Sequence, residues 1–281
     1  MDIRYLLRKY DLKPSKGLAQ NYLVDDNALK NIIRAADLPD HTTVLEIGPG
    51  LGSLTQLLAV NADKVIAVEL DRHLIPPLQE VLKDHENIEI IQGDILEVDL
   101  NQIIKQSGYY VVANIPYYIT SAILRRLMEA DHKPKRIVLT IQQEVGKRII
   151  AKPGQYSLLA LSIQVYGHPQ LVEKIPAAAF YPPPKVDSAV ICIDTFEEPR
   201  IPVDRLPLFF KLIKAGFSQK RKTLRNALAA GLGIMTTESE EILSKAGIDP
   251  QRRAQTLSIE EWNEITKSFY AVQCEFLQES I

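Results

Sequence analysis

From about residue 42 the chain alternates short runs of β-branched and aliphatic residues with longer stretches in which apolar positions recur every three or four residues. Short apolar runs are the mark of buried strands, and the longer period is the mark of helices. The strand runs are TVLEIG, KVIAVEL, IEIIQG, YYVVAN and RIVLTIQ. Strands and helices in alternation predict βαβ units and a mostly parallel sheet. Two later runs, LVEKIP and AVICID, are separated by AFYPPPKVDS, which is too short for a crossover helix and suits a hairpin. Five parallel strands and a terminal antiparallel hairpin make a seven-stranded α/β sheet. After Glu197-Glu198-Pro199-Arg200-Ile201-Pro202 the strand runs stop, and LPLFFKLIKAGF, KRKTLRNALAAGL, ESEEILSKAGI and IEEWNEITKSFYAVQCEFLQ all read as helices. An α/β domain over 1–198 and a small all-helical domain over 199–281 are therefore expected.

Composition adds bounds. A chain of 281 residues with 46% hydrophobic content buries a sizeable core. No apolar run nears the roughly 20 residues that span a bilayer. The segment MDIRYLLRKYDLKPSK lacks the apolar centre and small-residue cleavage site of a signal peptide, so a cytoplasmic protein without membrane attachment is expected. Cys192 and Cys274 lack C-x-x-C spacing and the five histidines are scattered, so no metal site is expected. The net charge of −2 argues against a nucleic-acid partner, but the charge is uneven. Residues 200–235 carry eight Lys and Arg against Asp204 alone, while 236–281 carry nine acids against four bases. A basic face on a nearly neutral protein follows.

Glu46-Ile47-Gly48-Pro49-Gly50-Leu51-Gly52 sits between the first strand run and the helical pattern SLTQLLAV. A glycine turn there lets a ligand approach the backbone beside a helix N-terminus; the plain alternative is a tight turn without a ligand. The Gly-Lys-Ser/Thr of a P-loop and the G-x-S-x-G of a nucleophile elbow are both absent. Glu69, ending KVIAVEL, stands where a dinucleotide fold holds a ribose, and Asp94 follows the third strand run. Taken singly, the plain alternative for either acid is a helix cap or a solvated strand end. Together they hold the ribose and the adenine amine of an adenosyl group, which fits S-adenosylmethionine better than NAD.

Asn114-Ile115-Pro116-Tyr117 ends the fourth run, at the sheet edge where open α/β folds place ligands. This tetrapeptide resembles the Asn/Asp-Pro-Pro-Tyr motif of amino methyltransferases. SKGLAQNYLVD, GDIL, FYPPPKVDS and FSQKRKTLRNAL further resemble the ribosomal RNA adenine dimethyltransferases, over roughly residues 13–260. The resemblance implies a class I S-adenosylmethionine-dependent methyltransferase, Rossmann-like, acting on two adjacent adenosines near the 3′ end of 16S rRNA in the small ribosomal subunit. It implies that Asn21 and Leu23 border the methionine end of the cofactor, Gly48 and Gly50 form its loop, Glu69 takes the ribose, Asp94 and Ile95 the adenine, and Asn114 the reaction centre. Phe180 is implied to stack on the target base. The chain departs from the family at Ala19 for glycine, Tyr22 for phenylalanine, and Tyr118-Ile119-Thr120 for Asn-Ile-Ser.

An aromatic amine delocalises its lone pair into the ring and must be aimed at the methyl it receives. If the Asn114 side-chain oxygen and the Ile115 carbonyl accept its two hydrogens, the nitrogen pyramidalises towards the donor. Pro116 holds Ile115 extended for that role, and Tyr117 and Phe180 sandwich the base. No general base is required, because the methylated ammonium loses its proton to water. In KRKTLRNALAAG, Leu224, Ala227 and Leu228 form one helical face and Lys220, Arg221, Lys222 and Arg225 the other. These, with Arg148 and the bases around it (Arg125, Arg126, Lys133, Lys135, Arg136, Lys147) and in the N-terminal segment (Arg4, Arg8, Lys9, Lys13, Lys16), are expected on rRNA phosphates. A monomer is expected. The rival readings are a large-subunit rRNA adenine methyltransferase of the macrolide-resistance type, a DNA adenine methyltransferase, an assembly factor acting mainly by binding, and an NAD oxidoreductase.

Overall fold

The computed structural model describes residues 2–15, 17–18, 20–116 and 119–278, with the backbone alone for 272–278. Tyr117, Tyr118, Lys16 and Ala19 lie outside the described residues, as does the side chain of Cys274. The chain begins with α1 (Ile3–Lys9), the two-residue β1 (Tyr22–Leu23) and α2 (Asp26–Ala36). The βα alternation then runs β2 (Thr43–Ile47), α3 (Ser53–Asn61), β3 (Lys64–Glu69), α4 (Ile75–Leu82), β4 (Ile88–Gln92), α5 (Leu100–Ile103), β5 (Tyr110–Asn114), α6 (Thr120–Met128) and β6 (Arg136–Gln142). It continues with α7 (Gln143–Ile149), α8 (Leu158–Gln164), β7 (Gly167–Ile175), β8 (Phe180–Tyr181) and β9 (Ser188–Thr195).

Seven strands form one sheet in the order β4-β3-β2-β5-β6-β9-β7. Strands β2 to β6 pair in parallel and β9 runs antiparallel to β6. The strand runs are almost wholly buried in β3, β5 and β6, as parallel strands covered on both faces must be. The order reverses between β2 and β5, the switch point at whose carboxyl edge a crevice opens.

The expected hairpin differs in its connection. β9 and β7 are neighbours, but AFYPPPKVDS is not one turn: Phe180–Tyr181 leaves the sheet as β8 and pairs with β1, Tyr22 opposite Tyr181 and Leu23 opposite Phe180. Two-residue strands are too short to leave a period in the sequence.

The domain division also differs from the boundary expected at residue 199. One compact unit comprises Met1–Lys147 and His168–Thr195, and the other Arg148–Gly167 and Phe196–Ile281. The second unit holds α8, α9 (Leu206–Gly216), α10 (Leu224–Leu232), α11 (Thr236–Lys245) and α12 (Ile259–Gln278). Residues 148–167 belong there because their backbone is tied to it. Gly154 N–H donates to the Gln255 carbonyl, Phe196 N–H to Tyr166 and Arg200 N–H to Val165, while the Tyr166 and Phe210 rings stack at 6.1 Å. Trp262 and Phe209, both fully buried, centre this unit's core.

Candidate active site

The fold brings the residues singled out around the first unit's crevice into one cavity. Asn21, Leu23, Gly48, Gly50, Glu69, Asp94, Ile95, Asn114, Ile115 and Pro116 all line it, about 1110 Å³ counting its open mouth. Those on the sheet side come from a strand end or the turn after it: Glu46 and the glycine turn from β2, Glu69 from β3, Asp94 after β4, Asn114 from β5. The opposite wall is the segment Gln20–Leu23. It is fastened across the cavity by Gln20, whose Nε2 donates to Asp71 Oδ2 at 2.8 Å.

The glycine turn is built for close approach. Gly48 has φ +68°, a conformation that L side chains avoid, and a Cβ there would meet nothing within 4 Å, so open space stands against the backbone. Gly50, at φ +59°, is needed for packing as well, since its Cβ would sit 3.1 Å from the Tyr22 ring. Glu69 braces this turn from β3. Its Oε2 accepts from Gly50 N–H at 3.0 Å and its Oε1 from Asp71 N–H at 2.8 Å. Burial raises the Glu69 pKa, and those two N–H donors oppose the rise. A carboxylate oxygen holding one N–H keeps a second acceptor site, which suits it to a pair of ribose hydroxyls. Asp94 accepts from Leu96 N–H with Oδ1, so Oδ2 is the oxygen left for an adenine amine.

Glu46, which preceded the glycines in the sequence pattern without an assigned role, is 1% exposed. Its Oε2 has no hydrogen-bond partner among the described residues. Burial, together with the nearby negative Glu69, pushes its pKa up to about 8. A buried carboxyl with one unpartnered oxygen, lining a cavity, fits a ligand that carries positive charge, which an adenosyl donor with a sulfonium and an α-ammonium does. The geometry predicts a pH effect. In the free protein the neutral carboxyl is favoured, so its stabilising contribution is full below the ordinary value of 4.5 and is lost as pH rises through about 8. A bound cation favours the carboxylate instead. Cofactor affinity is expected to rise by up to about tenfold per unit between roughly pH 6 and 8, with proton release, and Glu46→Gln should flatten the slope. Calorimetry in buffers of different ionisation enthalpy measures this; a pH-independent affinity would count against it.

Asn114 stands at the end of β5 with its amide orientation set by the fold: Nδ2 donates to the Asn21 carbonyl at 3.1 Å. The nitrogen end is thereby spoken for, and Oδ1 is the end available to a substrate amine. Ile115 is buried and lines the cavity beside it.

Phe180, expected to stack on the base, is 3% exposed and packed in the core cluster with Leu23, Ala179 and Val190. Its ring supports the β1–β8 ribbon over the sheet, and it is not among the residues lining the cavity.

The basic residues are corrected in part. Lys220, Arg221 and Lys222 are exposed, but they occupy the turn before α10 and not its face, because the helix starts at Leu224 after the N-cap Thr223. Arg225 is inside α10 and is held by Glu240 at 2.8 Å, so it is not a free phosphate ligand. Arg148 is exposed in α7. Of the other bases, Arg136 is clamped by Asp194 and Asp37, Arg125 pairs with Glu129, and Lys9 pairs with Glu80.

A seven-stranded sheet in this order, with a glycine turn after its first parallel strand and a carboxylate at the ends of the next two, defines a class I methyltransferase. Comparison with known proteins narrows the class. The model of the ribosomal RNA adenine dimethylase family matches residues 12–270. The ribosomal RNA small subunit methyltransferase A of Dehalococcoides mccartyi (strain CBDB1) is 48% identical over 274 residues, 96% of this chain and 93% of its own. Among solved structures, the 23S rRNA methyltransferase ErmE is similar with a TM-score of 0.71 at 28% identity, over 88% of this chain and 99% of its own. A dimethyladenosine transferase from Plasmodium falciparum shares the fold with a TM-score of 0.77 at 24% identity, over 89% and 98%. The chain belongs to the ribosomal RNA adenine dimethylase family.

Proposed function

We propose that this protein transfers methyl groups from S-adenosylmethionine to the N6 amines of two adjacent adenosines near the 3′ end of 16S rRNA, giving dimethyladenosines during small-subunit biogenesis. The observation that carries the reading is Asn114, which lines the cavity and is anchored through Nδ2 to the Asn21 carbonyl, leaving Oδ1 as its open acceptor. The cofactor supplies a methyl on a sulfonium. Glu69 and Asp94, which line the cavity, would hold its adenosine, and Glu46 with the glycine turn would border its charged end. Asn114 Oδ1 and the Ile115 carbonyl accept the amine hydrogens and turn the nitrogen lone pair towards the methyl. After transfer the ammonium gives its proton to water. Tyr117 is the ring assigned to the base, which must leave its stack to enter.

Identity of 48% to a small-subunit relative against 28% to ErmE supports the small-subunit substrate over the macrolide-resistance type. No helix among the described residues is long and apolar enough to cross a membrane, and a cytoplasmic site of action follows from the ribosomal partner. Incubation with labelled donor and unmethylated small subunits, large subunits or DNA is expected to label small-subunit adenines alone. Label confined to large subunits or DNA would overturn the assignment. In the same assay, neutralising Lys220, Arg221 and Lys222 together should lower subunit affinity and reduce the salt slope by about 2–3. An unchanged slope would remove that turn from the RNA interface.

A further inference from the structure

Thr140 on β6 is the register partner of Asn114 across the β5–β6 ladder. Partners in a ladder carry their side chains to the same face of the sheet, so the Thr140 hydroxyl and the Asn114 carboxamide share one. Two residues earlier on each strand, Val112 and Val138 pack in one cluster with Leu23 and Phe180. The shared face therefore lies under the β1–β8 ribbon. Val190, the partner of Thr140 on β9, belongs to that cluster too. Thr140 is 0% exposed, and its Oγ1 has no hydrogen-bond partner among the described residues.

A buried hydroxyl without a partner is unfavourable, and valine would fill the same volume at no such cost. Asn114 supplies a use for it. A single hydrogen bond from Nδ2 to Asn21 sets which end of the carboxamide is open to an amine, while aiming that amine also requires the plane of the group to be fixed by a second contact. We infer that Thr140 is a positioning residue for Asn114. When the target amine enters, the Thr140 hydroxyl donates to one acceptor site of Asn114 Oδ1 and leaves the other for the amine hydrogen. The nitrogen end is then held by Asn21 and the oxygen end by Thr140. Thr140 itself touches neither cofactor nor RNA.

The inference rests on the role given to Asn114 above. Thr140→Val deletes the hydroxyl at nearly constant shape. On the RNA that the wild type methylates, it should lower kcat about tenfold, with cofactor Kd and RNA KM unchanged. The melting temperature of the free protein should stay equal or rise, because no hydrogen bond of the free protein is lost. Thr140→Ser, which keeps the hydroxyl, should return kcat to within about threefold of wild type. A purely structural threonine gives the reverse, a lower melting temperature with kcat unchanged. A valine variant with wild-type kcat, or a serine variant as slow as the valine one, overturns the inference. If the valine variant folds poorly, the Thr140→Ala and Thr140→Ser pair carries the same comparison. Failure of the substrate assignment would appear in the wild type itself, as small subunits that take no label, and not as a difference among Thr140 variants.

Discussion

Asn114→Ala is expected to cut methyl transfer by at least about 10³-fold while changing cofactor affinity by no more than about threefold. One positioned hydrogen-bonding group at a reaction centre is worth about 10²–10³ in rate, and in the proposed mechanism the same group also fixes the direction of the nucleophile's lone pair. The alanine loses the Oδ1 acceptor and also strips the Asn21 carbonyl of its 3.1 Å donor, which loosens the wall that carries β1. Asn114→Asp is the sharper test. The carboxylate keeps an oxygen for the amine but turns a second one towards the Asn21 carbonyl, where the native amide donated, so electrostatic repulsion replaces a hydrogen bond. Both variants should be nearly inactive, with the aspartate also lowering the melting temperature. Single-turnover transfer and calorimetric cofactor binding separate the two effects. An alanine variant that kept a tenth of the wild-type rate would take Asn114 out of the aiming role.

The fold was legible because buried parallel strands leave continuous apolar runs, and each of TVLEIG, KVIAVEL, IEIIQG, YYVVAN and RIVLTIQ became a strand of the sheet. The wall of the cavity was legible because strand ends, a glycine turn and spaced acids are local features. What depends on tertiary packing was not. Phe180 reads in sequence as an available ring, and its burial beside Leu23, Ala179 and Val190 is a matter of tertiary packing. The run KRKTLRNALAAGL has helical propensity from its first residue, yet Thr223 N-caps α10, and the carbonyls of Arg252 and Pro250 accept from Leu224 and Arg225 N–H. Lys220, Arg221 and Lys222 are thereby left in the turn. The claim of residues 148–167 on the helical unit is likewise made by distant backbone hydrogen bonds, which no local pattern encodes. Glu46 stood in plain view beside the glycines, but its significance lies in an unpartnered buried oxygen, a property of its surroundings.

Glu69→Ala should raise the dissociation constant for the cofactor by about 10²–10³ while leaving kcat at saturating cofactor within about threefold. Glu69 braces the turn and, in the proposed function, is also the acceptor for the ribose. Its removal leaves the Gly50 and Asp71 N–H groups, at 3.0 and 2.8 Å from it, without their acceptor. Hydrogen bonds to a charged group are worth about 1.5–3 kcal/mol each, so losing the ribose contacts and part of the turn's order accounts for about 3–4 kcal/mol. Glu69→Gln should fall between alanine and wild type: its amide oxygen keeps one of the two N–H donors, while its NH₂ meets the other donor head-on. The free alanine variant should also melt lower than wild type, because the turn is braced before any cofactor arrives. Calorimetric titration with donor and with demethylated product, and melting curves with and without either, read these effects separately. The contrast with Asn114 is the decisive part, since Glu69 variants should be rescued by high cofactor concentration and Asn114 variants should not. A Glu69→Ala enzyme that binds cofactor like wild type would move the ribose site to another residue and leave Glu69 only as the brace of the glycine turn.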